Sequence, residues 1–218
     1  AVVVLYFHKL NPFSPKKTKK QKLLTWQMWI KVAIASVPAA IVGLLFNDIL
    51  DKIFYKPFPV AVMLIVYGVL FIVIENRNAG RRPSVNKIAD LSMSMLLWIG
   101  FFQMLALIPG TSRSGATIVG ALIIGVSREI AAEFTFFLAI PVMFGASLLK
   151  LIKFGFAFTA GEFGYLMLGC VVSFAVSIFA IKFLMSYIKK NDFKVFGYYR
   201  IVLGGLIVVV SLVQMVLA

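Results

Sequence analysis

The amino-acid sequence predicts an all-α integral membrane protein, a polytopic helical bundle that includes a re-entrant helical hairpin. Composition is the first observation: 61% of the 218 residues are hydrophobic, 14% are charged, and the mean hydropathy is +0.99. A soluble domain has about 45–50% apolar and about 25% charged residues. The second observation is that the apolar residues form runs long enough to cross a bilayer. We therefore interpret residues 1–218 as a single transmembrane domain, which excludes a soluble fold.

The net charge of +14 comes from 22 Lys and Arg against 8 Asp and Glu, and most of it lies between the apolar runs. In a soluble chain this excess would suggest nucleic acid. Here it is expected to orient the spans, so membrane lipids are predicted as partners and nucleic acid is not. The single Cys170 lies in an apolar run and excludes an intrachain disulfide.

A membrane-spanning helix needs roughly 20 apolar residues, because each residue adds about 1.5 Å against a hydrocarbon core of about 30 Å. Five runs meet or approach this length, and Ala1–Phe7 is interpreted as the tail of a sixth span. The five predicted spans are Gln27–Phe46, Phe58–Ile74, Ile130–Leu149, Phe163–Tyr187 and Tyr199–Leu217.

The connections between these spans alternate between basic and weakly charged. The weakly charged ones are Asn47–Pro57, in which Asp48 and Asp51 offset two lysines, and Lys150–Glu162. The positive-inside rule then puts the weakly charged connections and the C-terminus outside and the basic connections in the cytoplasm. The predicted cytoplasmic segments are 9–31, 75–92, 127–129 and 182–198.

Residues 93–127 agree with this orientation only if they enter and leave the membrane on the same side. As helices, Met93–Ile108 would be about 24 Å long and Gly115–Val126 about 18 Å, and each is short for a full crossing. A re-entrant hairpin over 93–127, with its polar tip inside the membrane, is the simplest interpretation. The alternative is two short complete spans, which would invert the orientation of every later segment.

The layout also suggests an internal repeat. Residues 93–218 contain one hairpin followed by three spans, whereas 1–92 contain three spans without a hairpin. Because the number of spans in each unit is odd, the two units would be inverted relative to each other, a common plan in membrane proteins with midplane sites. We interpret 1–92 as an incomplete first repeat and 93–218 as the second.

The tip of the predicted hairpin carries the chemistry. Proline ends a helix, and glycine permits close backbone approach. An arginine within a bilayer costs at least about 2.5–3.5 kcal/mol, so Arg113 needs compensation, and its guanidinium fork suits phosphate oxygens. Hydroxyl groups and the N-terminus of the following helix would add donors, which predicts an anion site, with phosphate as the expected anion. The stretch reads Pro109-Gly110-Thr111-Ser112-Arg113-Ser114-Gly115-Ala116-Thr117.

Structural roles compete with this interpretation. Arg113 could instead pair with Glu133 or with a backbone carbonyl. Thr111 or Ser114 could cap the helix that follows, which is compatible with a functional site. Gln103 could line the cavity, or it could form a buried polar contact between helices.

The run from Pro109 to Thr117, with Gln103-Met104-Leu105-Ala106-Leu107 before it and Gly125-Val126-Ser127-Arg128 after it, resembles the undecaprenyl pyrophosphate phosphatase family, also called bacitracin-resistance proteins. Further similar stretches are Glu133-Phe134-Thr135-Phe136, Ala35–Leu45 and Tyr198-Tyr199-Arg200.

The resemblance implies an activity, a cofactor and a location. The substrate would be undecaprenyl diphosphate, a prenyl diphosphate lipid, hydrolysed to the monophosphate and phosphate to renew the lipid carrier of cell-wall synthesis. A divalent cation, usually magnesium, would take part. The protein would lie in the bacterial inner (plasma) membrane with its site facing outward, and a homodimer is left open. The implied catalytic residues are Ser112, Arg113 and Thr117; the implied substrate-binding residues are Gln103, Gly110, Thr111, Ser114 and Gly115.

One departure from the family pattern is important. The family's first motif has two glutamates four apart and then a Ser-Ser-Thr-Gly-His run, and residues 1–218 contain no such stretch. That motif should supply acid–base or nucleophilic groups and metal carboxylates. We therefore expect that sequence is missing before residue 1 and that the chain is inactive alone. The rival functions are a lipid-phosphate transporter or flippase and, with less support, an anion channel.

Overall fold

A computed structural model describes residues 1–155 and 159–217, excluding the side chains of 47, 48, 51, 216 and 217. The prediction that Asp48 and Asp51 offset the charge of two lysines therefore falls on side chains outside the described part. The middle of the 150–162 connection also lies outside it. The described part is helical, with a 3-10 turn at Ile88–Asp90. The helices are α1 (Val2–Leu5), α2 (Phe7–Leu10), α3 (Lys19–Phe54), α4 (Pro57–Asn78), α5 (Met93–Leu105), α6 (Arg113–Ile123), α7 (Arg128–Phe154), α8 (Ala160–Ile188) and α9 (Lys194–Leu217).

Five of these helices, α3, α4, α7, α8 and α9, are long and apolar enough to cross a membrane. They coincide with the five predicted spans and confirm a polytopic all-α membrane protein. Each helix except α9 extends past both predicted ends, because the charged and polar flanking residues remain helical. At the start of α3, for example, Thr18 and Gln21 form a reciprocal cap, in which each side chain accepts a hydrogen bond from the other residue's N–H (2.9 and 3.3 Å).

The first residues depart from the predicted continuous helix end. Residues Val2–Leu5 and Phe7–Leu10 form separate helical turns, and Tyr6 between them has φ −109° and ψ 20°. The Tyr6 ring packs edge-on against Phe137, with centroids 5.3 Å apart. The chain then turns back into α3, and the indole N–H of Trp29 donates to the carbonyl of Leu10 at 2.8 Å.

The connections with most basic residues meet at one end of the molecule. We call this the basic end and define it by residues 8–31, 75–92, 122–133 and 181–196. Lys9 pairs with Glu133 (2.6 Å), and Lys31 donates to the carbonyls of Ile88 and Ala89 (3.1 and 2.5 Å). The segments are thus joined by direct polar contacts.

The chain before α5 and the chain after α6 lie side by side at this end. The N–H of Ser84 donates to the carbonyl of Gly125, and the N–H of Ser127 donates to the carbonyl of Val85, both at 2.9 Å. Val85 and Val126 form an isolated parallel bridge. Since α5 and α6 also contact each other, residues 93–123 form a helical hairpin whose two ends are at the same place.

The hairpin is enclosed by other helices. Helix α5 packs on α3, where Gly100 lies so close to the carbonyl of Ala35 that a Cβ atom would be 2.7 Å from that oxygen. Helix α6 contacts α4, α5 and α7, and every residue from Gly115 to Leu122 is buried. Helix α8, in contrast, is hardly enclosed by other helices, and Ile188 is its single buried residue.

Helices α4 and α9 form the most extensive helix pair, and glycines allow their close approach. A Cβ atom on Gly197 would be 2.7 Å from the carbonyl oxygen of Gly68, and a Cβ atom on Gly204 would be 2.8 Å from that of Ala61. Small residues at an interface let two membrane helices gain van der Waals contact along their backbones.

Replacing Gly197 by alanine should therefore lower the free energy of unfolding by about 1–3 kcal/mol, because the obstructing atom belongs to the backbone and cannot rotate away. Thermal unfolding in detergent measures this. Gly205→Ala is the matched control, since Gly205 lies on the same helix with nothing within 4 Å of its Cβ position. Equal melting temperatures for the two variants would contradict the packing argument.

Candidate functional site

The hairpin reverses direction at Gly110. This residue has φ +91°, and a Cβ atom there would collide with the backbone of Val60 at the start of α4. Only glycine combines this dihedral with this approach. The N–H of Thr111 donates to the carbonyl of Ile108 at 3.1 Å, which closes the turn and directs the chain into α6.

Ser112 is the N-cap of α6. Its hydroxyl accepts from the N–H of Gly115 (3.2 Å), and its carbonyl accepts from the N–H of Ala116 (2.8 Å). The expectation that Thr111 or Ser114 caps this helix is wrong, because the extended backbone that an N-cap requires occurs at Ser112. Ser114 lies close enough for its hydroxyl to hydrogen-bond that of Ser112 (3.0 Å).

This cap leaves donors at the start of α6. The first four N–H groups of a helix have no partner within the helix. Ser112 takes up those of Gly115 and Ala116, and those of Arg113 and Ser114 make no hydrogen bond within residues 1–155 and 159–217. The positive end of the helix dipole therefore coincides with two available N–H groups.

Arg113, the first residue of α6, has no acidic partner within the described part of the chain. Its Nη1 atom is buried and makes no hydrogen bond there. The structural alternative that Arg113 pairs with Glu133 is wrong, because Glu133 binds Lys9 (2.6 Å). The alternative of a carbonyl partner also finds no support in the described residues. A buried donor without a partner is costly, so this guanidinium is suited to a ligand.

A second arginine reaches the same helical turn. Arg200 belongs to α9, and its Nη2 atom is 3.3 Å from the position of a Cβ atom on Gly115. The guanidinium carbon is 5.9 Å from the centre of the Phe71 ring, and Nη1 is buried without a partner among the described residues. Sequence reasoning noticed Arg200 only as part of a similar stretch and gave it no role, because 87 residues separate it from Arg113.

Two neutral side chains are also buried without a hydrogen-bond partner among the described residues. Gln103 on α5 and Thr111 at the tip are 2% and 7% exposed, and neither the Gln103 amide nor the Thr111 hydroxyl has a hydrogen-bond partner within the described residues. Over that part of the chain, every buried side-chain nitrogen or oxygen without a partner belongs to Gln103, Thr111, Arg113 or Arg200. Native proteins rarely leave such groups unpaired, and these four belong to the hairpin and the helix beside it.

Thr117, by contrast, is already hydrogen-bonded. Its buried hydroxyl lies 3.0 and 3.1 Å from the carbonyls of Arg113 and Ser114 and 2.8 Å from the hydroxyl of Thr135. These contacts hold the first turn of α6 against α7. The predicted contact of Thr117 with a phosphate stays a prediction.

The described residues contain no group of three or more His, Cys, Asp or Glu that could hold a metal ion. The charged groups at the tip are guanidiniums, which repel a cation. No residue described here is therefore assigned to magnesium, and the divalent cation stays a prediction.

Comparison with known families agrees with these features. The model of the family described as bacitracin resistance protein BacA matches residues 1–206. The chain belongs to this family. The resemblance seen in the Pro109–Thr117 stretch is thereby confirmed.

The BacA-family chain is similar over most of its length to proteins named undecaprenyl-diphosphatase. It is 62% identical to one from Acetivibrio thermocellus over 208 residues, which are 95% of this chain and 76% of the relative. It is 59% identical to one from Enterococcus faecalis over 214 residues, 97% of this chain and 77% of the relative. A protein of the same name from Lactococcus lactis is 56% identical over an alignment 222 positions long, which covers 97% of this chain and 78% of the relative.

Proposed function

We propose that this protein acts as an undecaprenyl-diphosphatase of the bacterial inner membrane. Water would cleave the bond between the terminal phosphorus and the bridging oxygen of undecaprenyl diphosphate, releasing undecaprenyl phosphate and inorganic phosphate. The observation that carries the proposal is the set of buried, unpartnered polar groups on Gln103, Thr111, Arg113 and Arg200. The names of relatives that are 56–62% identical support the same substrate.

The two arginines would bind the diphosphate. The Arg113 guanidinium can donate two parallel hydrogen bonds to phosphate oxygens. Arg200, on α9, can neutralise further negative charge on the diphosphate. As the P–O bond breaks, negative charge grows on the bridging oxygen, and fixed cationic donors stabilise it without reorganising. Since no acid pairs with either arginine among the described residues, neither charge is already neutralised.

The rest of the tip would orient the substrate. The free N–H groups of Arg113 and Ser114, with the serine hydroxyls, can bind phosphate oxygens as helix N-termini commonly do. Gly110 and Gly115 permit the close packing that brings Val60 and Arg200 against the turn. A bound divalent cation would add charge neutralisation, and no step of this proposal depends on it.

The membrane arrangement is part of the proposal. The hairpin 93–127 would be re-entrant, since its ends are hydrogen-bonded together at the basic end while its tip lies against the start of α4. With the basic end in the cytoplasm, the tip would open outward. Two complete spans would also return the chain to the basic end, so the expected inversion of later segments does not follow from that alternative. It is disfavoured by length, because the 13 residues of α5 and the 11 residues of α6 give about 20 and 17 Å against a hydrocarbon core of about 30 Å.

The inverted repeat would relate α7, α8 and α9 to the segment before α3, α3 itself and α4. Two contacts support it: α4 packs on its counterpart α9, and α1 packs on its counterpart α7. The same correspondence maps α3 onto α8 and α7 onto α1. The contact between α3 and α7 is accordingly matched by a contact between α8 and α1. The homodimer has no supporting contact within a single chain and is not part of the proposal.

Turnover needs an acid–base group besides the phosphate-binding groups. Within the described residues no carboxylate pairs with the arginines at the hairpin tip. We therefore propose that residues 1–218 supply the diphosphate-binding part of this activity and do not hydrolyse the substrate alone.

Calorimetry with farnesyl diphosphate, a short prenyl diphosphate, tests this assignment. We expect the purified chain to bind it, Arg200→Gln to weaken binding at least 10-fold, and no phosphate to be released. Arg81→Gln is the control, because Arg81 is an exposed arginine in the 78–87 connection. Equal affinities in the two variants would contradict the role of Arg200, and turnover matching a full-length relative would contradict the inactivity.

The rival transporter or flippase also suits an inverted repeat with a midplane anion site. Liposomes containing labelled prenyl diphosphate distinguish the two functions. Movement of the label between leaflets, without release of phosphate by a full-length relative, would favour transport over hydrolysis.

A further inference from the structure

A cavity of about 610 Å³ lies at the basic end. It is formed by the 8–17 segment, the first turns of α3, the 86–89 segment and the start of α7. None of Gln103, Thr111, Arg113 and Arg200 lines it, so this cavity is separate from the diphosphate site.

The cavity has a large excess of positive charge. Its lining includes five lysines but a single carboxylate, Glu133, which is already paired with Lys9 (2.6 Å). Of the other four ammonium groups, three have no carboxylate partner in the described part, and Lys31 interacts electrostatically with Asp90 without forming an ion pair. The five lysines are Lys9, Lys16, Lys17, Lys31 and Lys87.

Neutral groups hold two of these ammonium groups in place. Lys17 donates to the Thr25 hydroxyl (2.8 Å) and to the carbonyl of Lys9 (3.1 Å), and Lys31 donates to the carbonyl of Leu91 at 2.8 Å. Such contacts position a cation without removing its charge. The side chains of Lys16 and Lys87 make no hydrogen bond or ion pair within the described residues, so their ammonium groups are available to a ligand.

Part of the remaining lining is apolar. Leu24 and Met28 of α3 and Ile130 and Phe137 of α7 line the same cavity, and Leu24 is 43% exposed, so it offers apolar surface to a ligand. A free inorganic anion gains nothing from such a wall. A molecule with an anionic head and a hydrocarbon chain uses both parts, and basic pockets between membrane helices are suited to anionic phospholipid head groups.

We propose that this cavity binds an anionic phospholipid from the leaflet at the basic end. The phosphate group would lie among Lys16, Lys17 and Lys87, with the first methylene groups of an acyl chain against Leu24 and Ile130. The site would be a lipid-binding site independent of the diphosphate site.

The test compares phosphatidylglycerol with phosphatidylcholine of the same acyl chains, using native mass spectrometry of the purified chain in detergent. We expect preferential retention of phosphatidylglycerol, and we expect Lys16→Gln combined with Lys87→Gln to weaken it about 10- to 30-fold. The control is Lys19→Gln combined with Lys20→Gln, which removes the same charge from neighbouring lysines outside the cavity lining.

Three outcomes would overturn the proposal. Equal losses in the two double variants would mean general charge attraction, and equal retention of the two lipids would mean no head-group recognition. Binding of soluble glycerol phosphate as tight as that of phosphatidylglycerol would indicate a free-anion site. Farnesyl diphosphate binding, measured on the same double variants, should be unchanged, which separates a failure here from a failure of the phosphatase assignment.

Discussion

Arg113→Lys should raise the dissociation constant for farnesyl diphosphate about 100-fold or more. Lysine keeps the positive charge but loses the planar fork that donates two parallel hydrogen bonds to phosphate. Hydrogen bonds to charged groups contribute about 1.5–3 kcal/mol each, and about 2.7 kcal/mol corresponds to a factor of 100. Calorimetry on the purified chain measures the affinity, and phosphate release by a full-length relative with the equivalent substitution measures the effect on turnover.

Arg82→Lys is the matched control for this substitution, because Arg82 is exposed in the 78–87 connection and should tolerate the change. Near-normal affinity in a folded Arg113→Lys protein would mean that the guanidinium is structural. A variant with lost affinity but an unchanged melting temperature would support the binding role.

The second large effect concerns Glu75, whose side chain is 1% exposed at the basic end. Its carboxylate accepts hydrogen bonds from the Arg128 guanidinium, including one from Nε at 2.9 Å, and from the N–H of Phe193 at 3.1 Å. It therefore links the end of α4, the start of α7 and the segment that leads into α9.

Glu75→Ala should lower the free energy of unfolding by about 3 kcal/mol, because it leaves the Arg128 charge and the buried Phe193 N–H without their partner. Thermal unfolding in detergent measures the change. Glu129→Ala removes an exposed carboxylate whose pair with Lys189 spans 3.5 Å, and should cost less than about 1 kcal/mol. Comparable destabilisation by the two substitutions would contradict a special role for the buried pair.

Local sequence patterns predicted most of the fold. The five long helices follow from apolar runs that a bilayer requires, and the hairpin helices follow from two shorter runs around Pro109. Helix ends were less predictable, because the residues that extend α3 to Lys19 are polar and depend on the Thr18–Gln21 cap. The N-cap of α6 was misassigned for a similar reason: three neighbouring hydroxyl residues are all capable of capping, and the backbone dihedrals select Ser112.

The site was predictable only in part. Arg113 stands out in the sequence because a charged residue next to glycines and hydroxyls in an apolar chain has few structural explanations. Arg200 does not stand out in this way, since it follows a basic connection and could orient the span. Its position beside Gly115 results from the packing of α9 on α4, which brings α9 next to Phe71 and the first turn of α6.

The sequence by itself determined that this protein crosses a membrane, and it predicted an anion site at the hairpin tip, because hydropathy and the cost of a buried charge are properties of short segments. Tertiary structure alone decided which distant groups lie together at that tip, and which of the arginines and lysines pair with an acid. Those pairings depend on how helices far apart in the chain pack side by side, and glycine contacts such as Gly68 with Gly197 set that packing at atomic distance.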